Sequence, residues 1–355
     1  DSRVFQTVDK LGRVLNCAAA DITSGRYRIS LYRFLAETVP VIGACVSTWA
    51  RLSAAPGKFT IQDSSSKSEE DRAMGILSQL TERFYHSAPG NPASLVTFLT
   101  NVFTGLYRDG VIGGFLAVKK DGSGVDRFLP VDSSTLTVNR ESDTLRLEME
   151  LEKGVLPLDR ADFYYVPMHS DMSRPLGRSI LQTIPFVTYI EQQLVDDMRR
   201  SSHNSGFHRL HVKVSPPERI SGESDEAYIE RINSYFDSTV SMIKSCQVDE
   251  NPVTWDNVSI ECIGPDNVRT VTNSWFVNHR AMIEEICAGT NLAPFLLGYS
   301  YGATTTWSAF KFDLVMRQVR SVQAQVAVML EWIGNIELAL AGSNLQCRFE
   351  FDNSF

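Results

Sequence analysis

An α+β fold is expected from this chain, and three observations predict it. Apolar residues recur at helical spacing through Ile76, Leu77, Leu80 and Phe84, and again through Leu95, Phe98, Leu99, Val102, Phe103 and Leu106. From residue 113 to 168 the pattern changes to period two, the mark of half-buried strands. The last stretch returns to three- and four-residue steps, Trp307, Phe310, Leu314, Val319, Val322, Val326, Leu330, Ile333, Ile336 and Leu340. Strands gathered together between helices, instead of alternating with them, predict a small antiparallel sheet packed on helices.

In chain order, residues 29–52 read as an amphipathic helix bent near Pro40 and ended by the Ala-Ala-Pro-Gly turn at 54–57. The polar segment Asp63–Asp71 reads as a surface loop leading into a helix, and His86-Ser-Ala-Pro-Gly-Asn-Pro92 separates the two helical stretches. Gly113–Lys120, with an Asp121-Gly122 turn, pairs with Asp126–Val131 as a hairpin; Thr135–Arg140, Thr144–Leu151 and Phe163–Met168 continue as short strands. From Ser179 the chain turns helical for about 25 residues through Ile190, Leu194 and Met198, with Pro185 early in it and a stop at Asn204-Ser-Gly206.

A strand His208–Val214 follows, stopped by Pro216-Pro217, and Ser224 caps a helix carrying Tyr228, Ile232, Tyr235, Phe236 and Ile243. Val253-Thr-Trp and Val258–Ile263 suggest a further strand pair, closed by Gly264-Pro265. An α/β module of about 60 residues is thus inserted between two helices, the second covering Val268–Ala288. After Asn291–Gly298 comes a loop, Tyr299–Thr306, and then the longest helix, Trp307–Ala341, about 50 Å at 1.5 Å per residue. So long an apolar stripe requires a long partner surface, which neighbouring subunits supply.

The 355 residues carry 34 Lys+Arg against 42 Asp+Glu, a net charge of −8, which argues against a general basic field for holding nucleic acid. Cysteines 17, 45, 246, 262, 287 and 347 form no CxxC pair and read as reduced, mostly buried side chains. Arg33, Glu37, Pro40 and Arg51 interrupt the apolar stretch Leu31–Leu52, so it is no membrane span. With no signal peptide, no initiator Met and an abrupt end after Cys347-Arg-Phe-Glu-Phe-Asp, both termini read as cuts within a longer protein.

No nucleotide-cradling GxxxxGK[ST] or GxGxxG is present, and no HExxH or GxSxG; Asp121-Gly-Ser-Gly124 is simply a hairpin turn. His203, His208 and His211 lie within nine residues, but His203 closes a helix while His208 and His211 have opposite parity in a strand, so they read as a solvated or partner-facing surface and no metal or cofactor is expected. With Arg199, Arg200, Arg209 and Lys213 they form the most basic stretch, suited to phosphates or an acidic partner, or merely solvated. Asp196-Asp197 and Glu284-Glu285 diverge by about 100° on their helices and make poor two-carboxylate sites. The residues alone thus predict a non-catalytic, oligomeric α+β protein.

Three stretches carry more. Arg174-Pro-Leu-Gly-Arg-Ser-Ile-Leu181 runs into a long helix directly after Phe163-Tyr-Tyr-Val-Pro-Met168. Arg280-Ala-Met-Ile-Glu-Glu-Ile-Cys-Ala-Gly-Thr-Asn-Leu-Ala-Pro-Phe-Leu-Leu-Gly298 precedes a short loop and another long helix. Earlier come Gly113-Gly-Phe-Leu-Ala-Val118, Phe128-Leu-Pro-Val-Asp132 and Leu136-Thr-Val138. In this order and spacing, over roughly residues 30–350, the chain resembles the portal proteins of tailed double-stranded DNA bacteriophages.

The resemblance implies a ring, usually of twelve copies, at one capsid vertex, with DNA passing through its axis. It implies a wing at 1–176, stem helices at 177–204 and 266–290, a clip at 205–265, a tunnel-loop region at 291–306, and a long wing helix with a returning strand at 307–355, the family's crown being absent. The tunnel loop would comprise Tyr299, Ser300, Tyr301, Gly302, Ala303, Thr304, Thr305 and Thr306, with Tyr299 and Tyr301 either touching the duplex backbone or packing the loop base. Arg199, Arg200, His203, Arg209 and Lys213 would be the basic contacts of stem and clip. Implied partners are other copies of the chain, double-stranded DNA, the terminase large subunit, the head–tail adaptor, and major capsid and scaffolding proteins, with no membrane; the place is the virion, and the host cytoplasm during assembly. Competing expectations are a metal-dependent nucleic-acid hydrolase built on the histidines, and another virion ring or adaptor, though adaptors are usually much shorter.

Overall fold

In the computed structural model, which describes residues 5–8, 14–17, 25–62, 66–83, 94–141, 144–206, 209–245, 258–263, 268–299 and 304–352, a hairpin of β1 (Phe5–Val8) and β2 (Val14–Cys17) comes first. The stretch expected to be one bent helix is two, α1 (Gly25–Thr38) and α2 (Pro40–Ser53), turned by 102°. Val39 causes the turn. The ring of a following proline disfavours helical backbone, and Val39 is extended at φ −103°, ψ 110° while Pro40 opens α2, where its missing N–H is not needed. Among the described residues no single helix is long and apolar enough to cross a membrane.

The chain divides into two compact units, Asp1–Gln192 with His279–Phe355, and Gln193–Asn278. In the first unit β3 (Gly57–Gln62) leads to α3 (Lys67–Arg83), which starts inside the segment expected to be a loop because Glu69 and Glu70 suit its first turn. Phe84 and the 86–92 break lie outside the described residues. α4 (Leu95–Asp109) has both ends written in its sequence. Ser94 Oγ accepts from the Thr97 amide at 3.2 Å, and Gly110 closes the helix at φ +87°.

The period-two region forms two three-stranded sheets, not one. β4 (Val111–Val118) lies between β5 (Val125–Pro130) and β9 (Phe163–Pro167), and β7 (Thr144–Leu151) lies between β6 (Leu136–Glu141) and β8 (Gly154–Pro157). A 3-10 turn at Ser133–Thr135, capped by Asp132, takes the chain from one sheet to the other. The expected hairpin is present, with Phe115 opposite Leu129, and its turn is fixed by Asp121 accepting from the Ser123 amide at 3.1 Å.

α5 (Ile184–Gly206) starts later than Ser179, with Pro185 in its first turn. α7 (Val268–Gly289) is the second flanking helix. Between them, in the second unit, lie β10 (Arg209–Val214), α6 (Asp225–Ser245) and β11 (Val258–Ile263). β11 pairs antiparallel with β10, Val212 opposite Ile260, whereas it was expected to pair with 253–255, which lie outside the described residues together with Gly264-Pro265. Ser224 Oγ accepts from the Ala227 amide as the N-cap of α6. From within that helix, Arg231 reaches back to Glu223 with two bonds at 2.9 and 2.8 Å and lies over the Tyr228 ring.

The last helix, α8 (Thr305–Leu340), and strand β12 (Gln346–Phe351) complete the first unit; β12 pairs with β3, Phe349 opposite Phe59. Val319, Val322, Val326, Leu330 and Ile333 of α8 are fully buried, in the core that α8 forms with α2, α3 and β12. At about 2 kcal/mol for each such side chain, that face outweighs the ~1 kcal/mol of an N-cap, so packing fixes the position of α8. At the centre, Trp49 and Tyr107 stack at 5.3 Å, and the Trp49 indole donates to the Thr290 carbonyl at 3.0 Å. Tyr107 shares a 2.7 Å hydroxyl bond with Ser53, whose carbonyl accepts from Gln323 of α8 at 3.0 Å.

Candidate functional site

The segment after α7 is shaped by three backbone features. Asn291 is left-handed at φ 56°, Pro294–Leu297 forms a 3-10 turn, and Gly298 leaves that turn at φ +88°. The Tyr299 amide still bonds back to Pro294 O at 3.1 Å. The chain is next described at Thr304, whose hydroxyl accepts from the Trp307 amide as the N-cap of α8. Thr305 and Thr306 therefore belong to the helix and not to the expected loop, while Ser300, Tyr301, Gly302 and Ala303 lie outside the described residues. Three hydroxyl residues in a row gave no single start; the residue whose oxygen reaches three positions ahead decides it.

Beneath this segment is a groove of about 600 Å³, lined among others by Glu284, Phe295, Tyr299, Trp307, Lys311 and Leu314. Phe295 meets Trp307 edge-on at 6.2 Å, and the Lys311 ammonium lies 5.5 Å from the Trp307 ring. Cys287 closes the base; burial, then the nearby Cys45 and Glu284, push its thiol up to about 12, a protonated and unreactive state. Tyr299 lines the groove at the loop base, its phenol also raised by burial. Sequence reading missed this assembly, although Trp307 and Lys311 at i, i+4 on one helix were a usable signal.

The stripe of α8 is split. Its later part is core, but Trp307, Phe310 and Leu314 are 44%, 61% and 42% exposed. They form an apolar face that the described residues of this chain leave partly uncovered, most of all at Phe310.

The basic candidates are partly neutralised where they stand. Arg199 and Arg200 each reach Asp196 of the same helix at 2.8 Å, and these bonds outweigh desolvation to hold that carboxyl below its usual range. His203 falls in α5, and Arg209, His211 and Lys213 fall at alternate positions of β10; His208 lies outside the described residues. Glu284 does not pair with Glu285 but with Arg280, at 2.8 Å.

The Arg174–Ser179 motif has a definite structural task. Ser179 Oγ donates to the Tyr107 and Arg108 carbonyls at the end of α4 and accepts from the Leu181 amide at 2.9 Å. Gly110 O accepts from the Met168 amide at 2.8 Å, and Met168 O from the Arg178 amide at 2.7 Å. Gly177, at φ +76°, passes so close that a Cβ would stand 2.5 Å from Met168 O. Asp171 receives the Ser173 and Arg174 amides at 2.8 Å and pairs with Arg178. This clasp joins α4, β9 and the entry to α5, and it holds residues 179–183 in turns, which delays the helix.

No protein-family model matches the sequence, and no curated protein matches it. Solved structures do. A chain from the neck of an empty gene transfer agent particle superposes with a TM-score of 0.65 at 13% identity, covering 92% of this chain and 84% of that one. A chain of the native gene transfer agent virion gives 0.64 at 12% identity, again over 92% and 84%. An HK97-family phage portal protein from Corynebacterium diphtheriae gives 0.50 at 11% identity, over 91% of this chain and 96% of that one. Over more than nine-tenths of its length, then, this chain is built on the fold of the phage portal proteins.

Proposed function

We propose that the protein is a portal subunit, which closes into a ring of about twelve copies at one vertex of a phage or phage-like capsid and passes double-stranded DNA along the ring axis. The observation that carries this reading is likeness of fold over more than nine-tenths of the chain to a portal protein that is itself covered almost end to end. The wing, stem and clip limits suggested by resemblance go with it, the clip at 205–265 docking first the terminase and then the adaptor. The net charge of −8 suits sliding, because each neutralised phosphate adds salt-dependent affinity and a basic ring would act as a brake. The partly uncovered face of Trp307, Phe310 and Leu314 suits burial against a neighbouring copy.

In this reading the chain between Gly298 and Thr304 narrows the passage and retains DNA by weak steric contact, without reading bases. Native mass together with negative-stain images tests the ring. A closed ring of about a dozen copies with an axial hole is expected, and a species that stays monomeric at high concentration overturns it. Thr305→Trp tests the loop base without removing the Thr304 cap, whose loss would itself cost about 1 kcal/mol. Rings should persist while packaged DNA shortens; normal genome filling would remove this segment from the mechanism.

A further inference from the structure

A second cavity, of about 660 Å³, opens beside the Arg174–Ser179 clasp and has no part in the loop region. Arg28 of α1 and Arg174 both line it, as does the hydroxyl end of the clasp at Ser173. Several other guanidiniums of this unit hold a carboxylate. Arg33 holds Asp109 and Asp132, Arg108 holds Asp109, Arg178 holds Asp171 and Arg83 holds Glu337. Arg28 and Arg174 are half-buried and have none among the described residues. Their positive charge reaches Tyr32 between them; burial raises that phenol, and Arg28 and Arg174 each pull it back down.

The opposite wall is strand β6, through Leu136, Thr137 and Val138. β6 is the outer strand of its sheet, paired with β7 only, so among the described residues one line of its backbone donors and acceptors faces no other strand. Such an edge is a template for one more strand. Leu176 and Pro185 make much of the remaining lining apolar. A lone phosphate would use the arginines but neither the strand edge nor the apolar wall. An extended peptide would use all three.

We propose that this cavity is a docking site for an extended, acidic peptide segment of a partner protein, which adds along the free edge of β6 and places a carboxylate between Arg28 and Arg174. None of its lining residues belongs to the loop region or to the exposed face of α8. A bidentate guanidinium–carboxylate bond fixes the register of the added strand, and alternate apolar side chains enter the cavity.

A fluorescein-labelled Val-Glu-Val-Glu-Val peptide, titrated against the purified chain, tests this, with Val-Lys-Val-Lys-Val as the control. The acidic peptide should bind saturably and at least tenfold more tightly than the basic one. Arg28→Gln with Arg174→Gln should weaken it at least tenfold while the melting temperature is unchanged. Arg28→Glu with Arg174→Glu should reverse the preference towards the lysine peptide, which a merely misfolded variant would not do. Absence of saturable binding, equal binding of both peptides, or unchanged binding in the Gln variant overturns the proposal. Displacement of the acidic peptide by inorganic phosphate alone, or by a short DNA duplex, also overturns it, leaving a simple anion site or a nucleic-acid face.

Discussion

Gly110 and Gly122 hold similar left-handed backbones, φ +87° and +73°, in very different surroundings. A Cβ on Gly110 would stand 2.6 Å from the Ser179 amide nitrogen, whereas one on Gly122 meets nothing within 4 Å. The backbone term alone costs an L-residue about 1–2 kcal/mol. Gly122→Ala should therefore lose about 1 kcal/mol in urea unfolding and Gly110→Ala about 3 kcal/mol. Equal losses would mean that the clasp yields. Asp132 offers a test in pH. Burial would raise its carboxyl, but the Arg33 guanidinium at 2.6 Å and the Ser134 amide hold it at about 2. A folded pKa below the unfolded value of about 4 gives stability that is present above pH 4 and lost as pH falls through about 2. Asp132 is half exposed, so screening keeps the effect small. Asp132→Asn should melt below the parent at pH 7 and converge with it near pH 2; parallel curves down to pH 2 would exclude this origin.

At the scale of elements, Glu337 shows how a helix can hold a distant hairpin. It is nearly buried in α8, pairs with Arg83 of α3, and accepts from the Val125 amide at 2.5 Å. Gly124 makes room for it, since a Cβ there would stand 2.7 Å from the carboxylate. Breaking a buried pair costs about 3–5 kcal/mol, and the partial exposure of Arg83 places Glu337→Ala near the lower limit, ~3 kcal/mol, by denaturant titration. A loss below 1 kcal/mol would mean that water replaces the carboxylate. The sequence showed Asp121–Gly124 to be a turn, but nothing local said that its second glycine faces an acid more than two hundred residues away. The same limit hid the β3–β12 pair, whose partners lie at opposite ends of the chain. Local signals served better: the stripe of α4, the Asp121 turn and the Ser224 cap were all readable from spacing. Pro40 was readable as a disturbance, but the amount of turning depends on what α1 and α2 pack against.

For the whole molecule, the stripe of α8 was legible as apolar and as needing a long partner, yet spacing could not apportion it. The fold places Val319 to Ile333 in this chain's own core and leaves Trp307, Phe310 and Leu314 outside. Phe310→Ser with Leu314→Ser should therefore leave the melting transition of the subunit nearly unchanged while shifting native mass towards monomer. A fall in melting temperature without loss of assembly would place that face within the subunit. The candidate loop was drawn too far, through Thr305 and Thr306, because Thr304 is both a good loop residue and a good cap. That cap has a consequence for any change of length ahead of it. The position of α8 is set by the Thr304 hydroxyl at its start and by the buried face from Val319 to Ile333. Residues inserted between Gly298 and Thr304 should therefore leave Glu337 on Arg83 and β12 on β3, at a cost of only about 0.6 kcal/mol for each doubling of that segment.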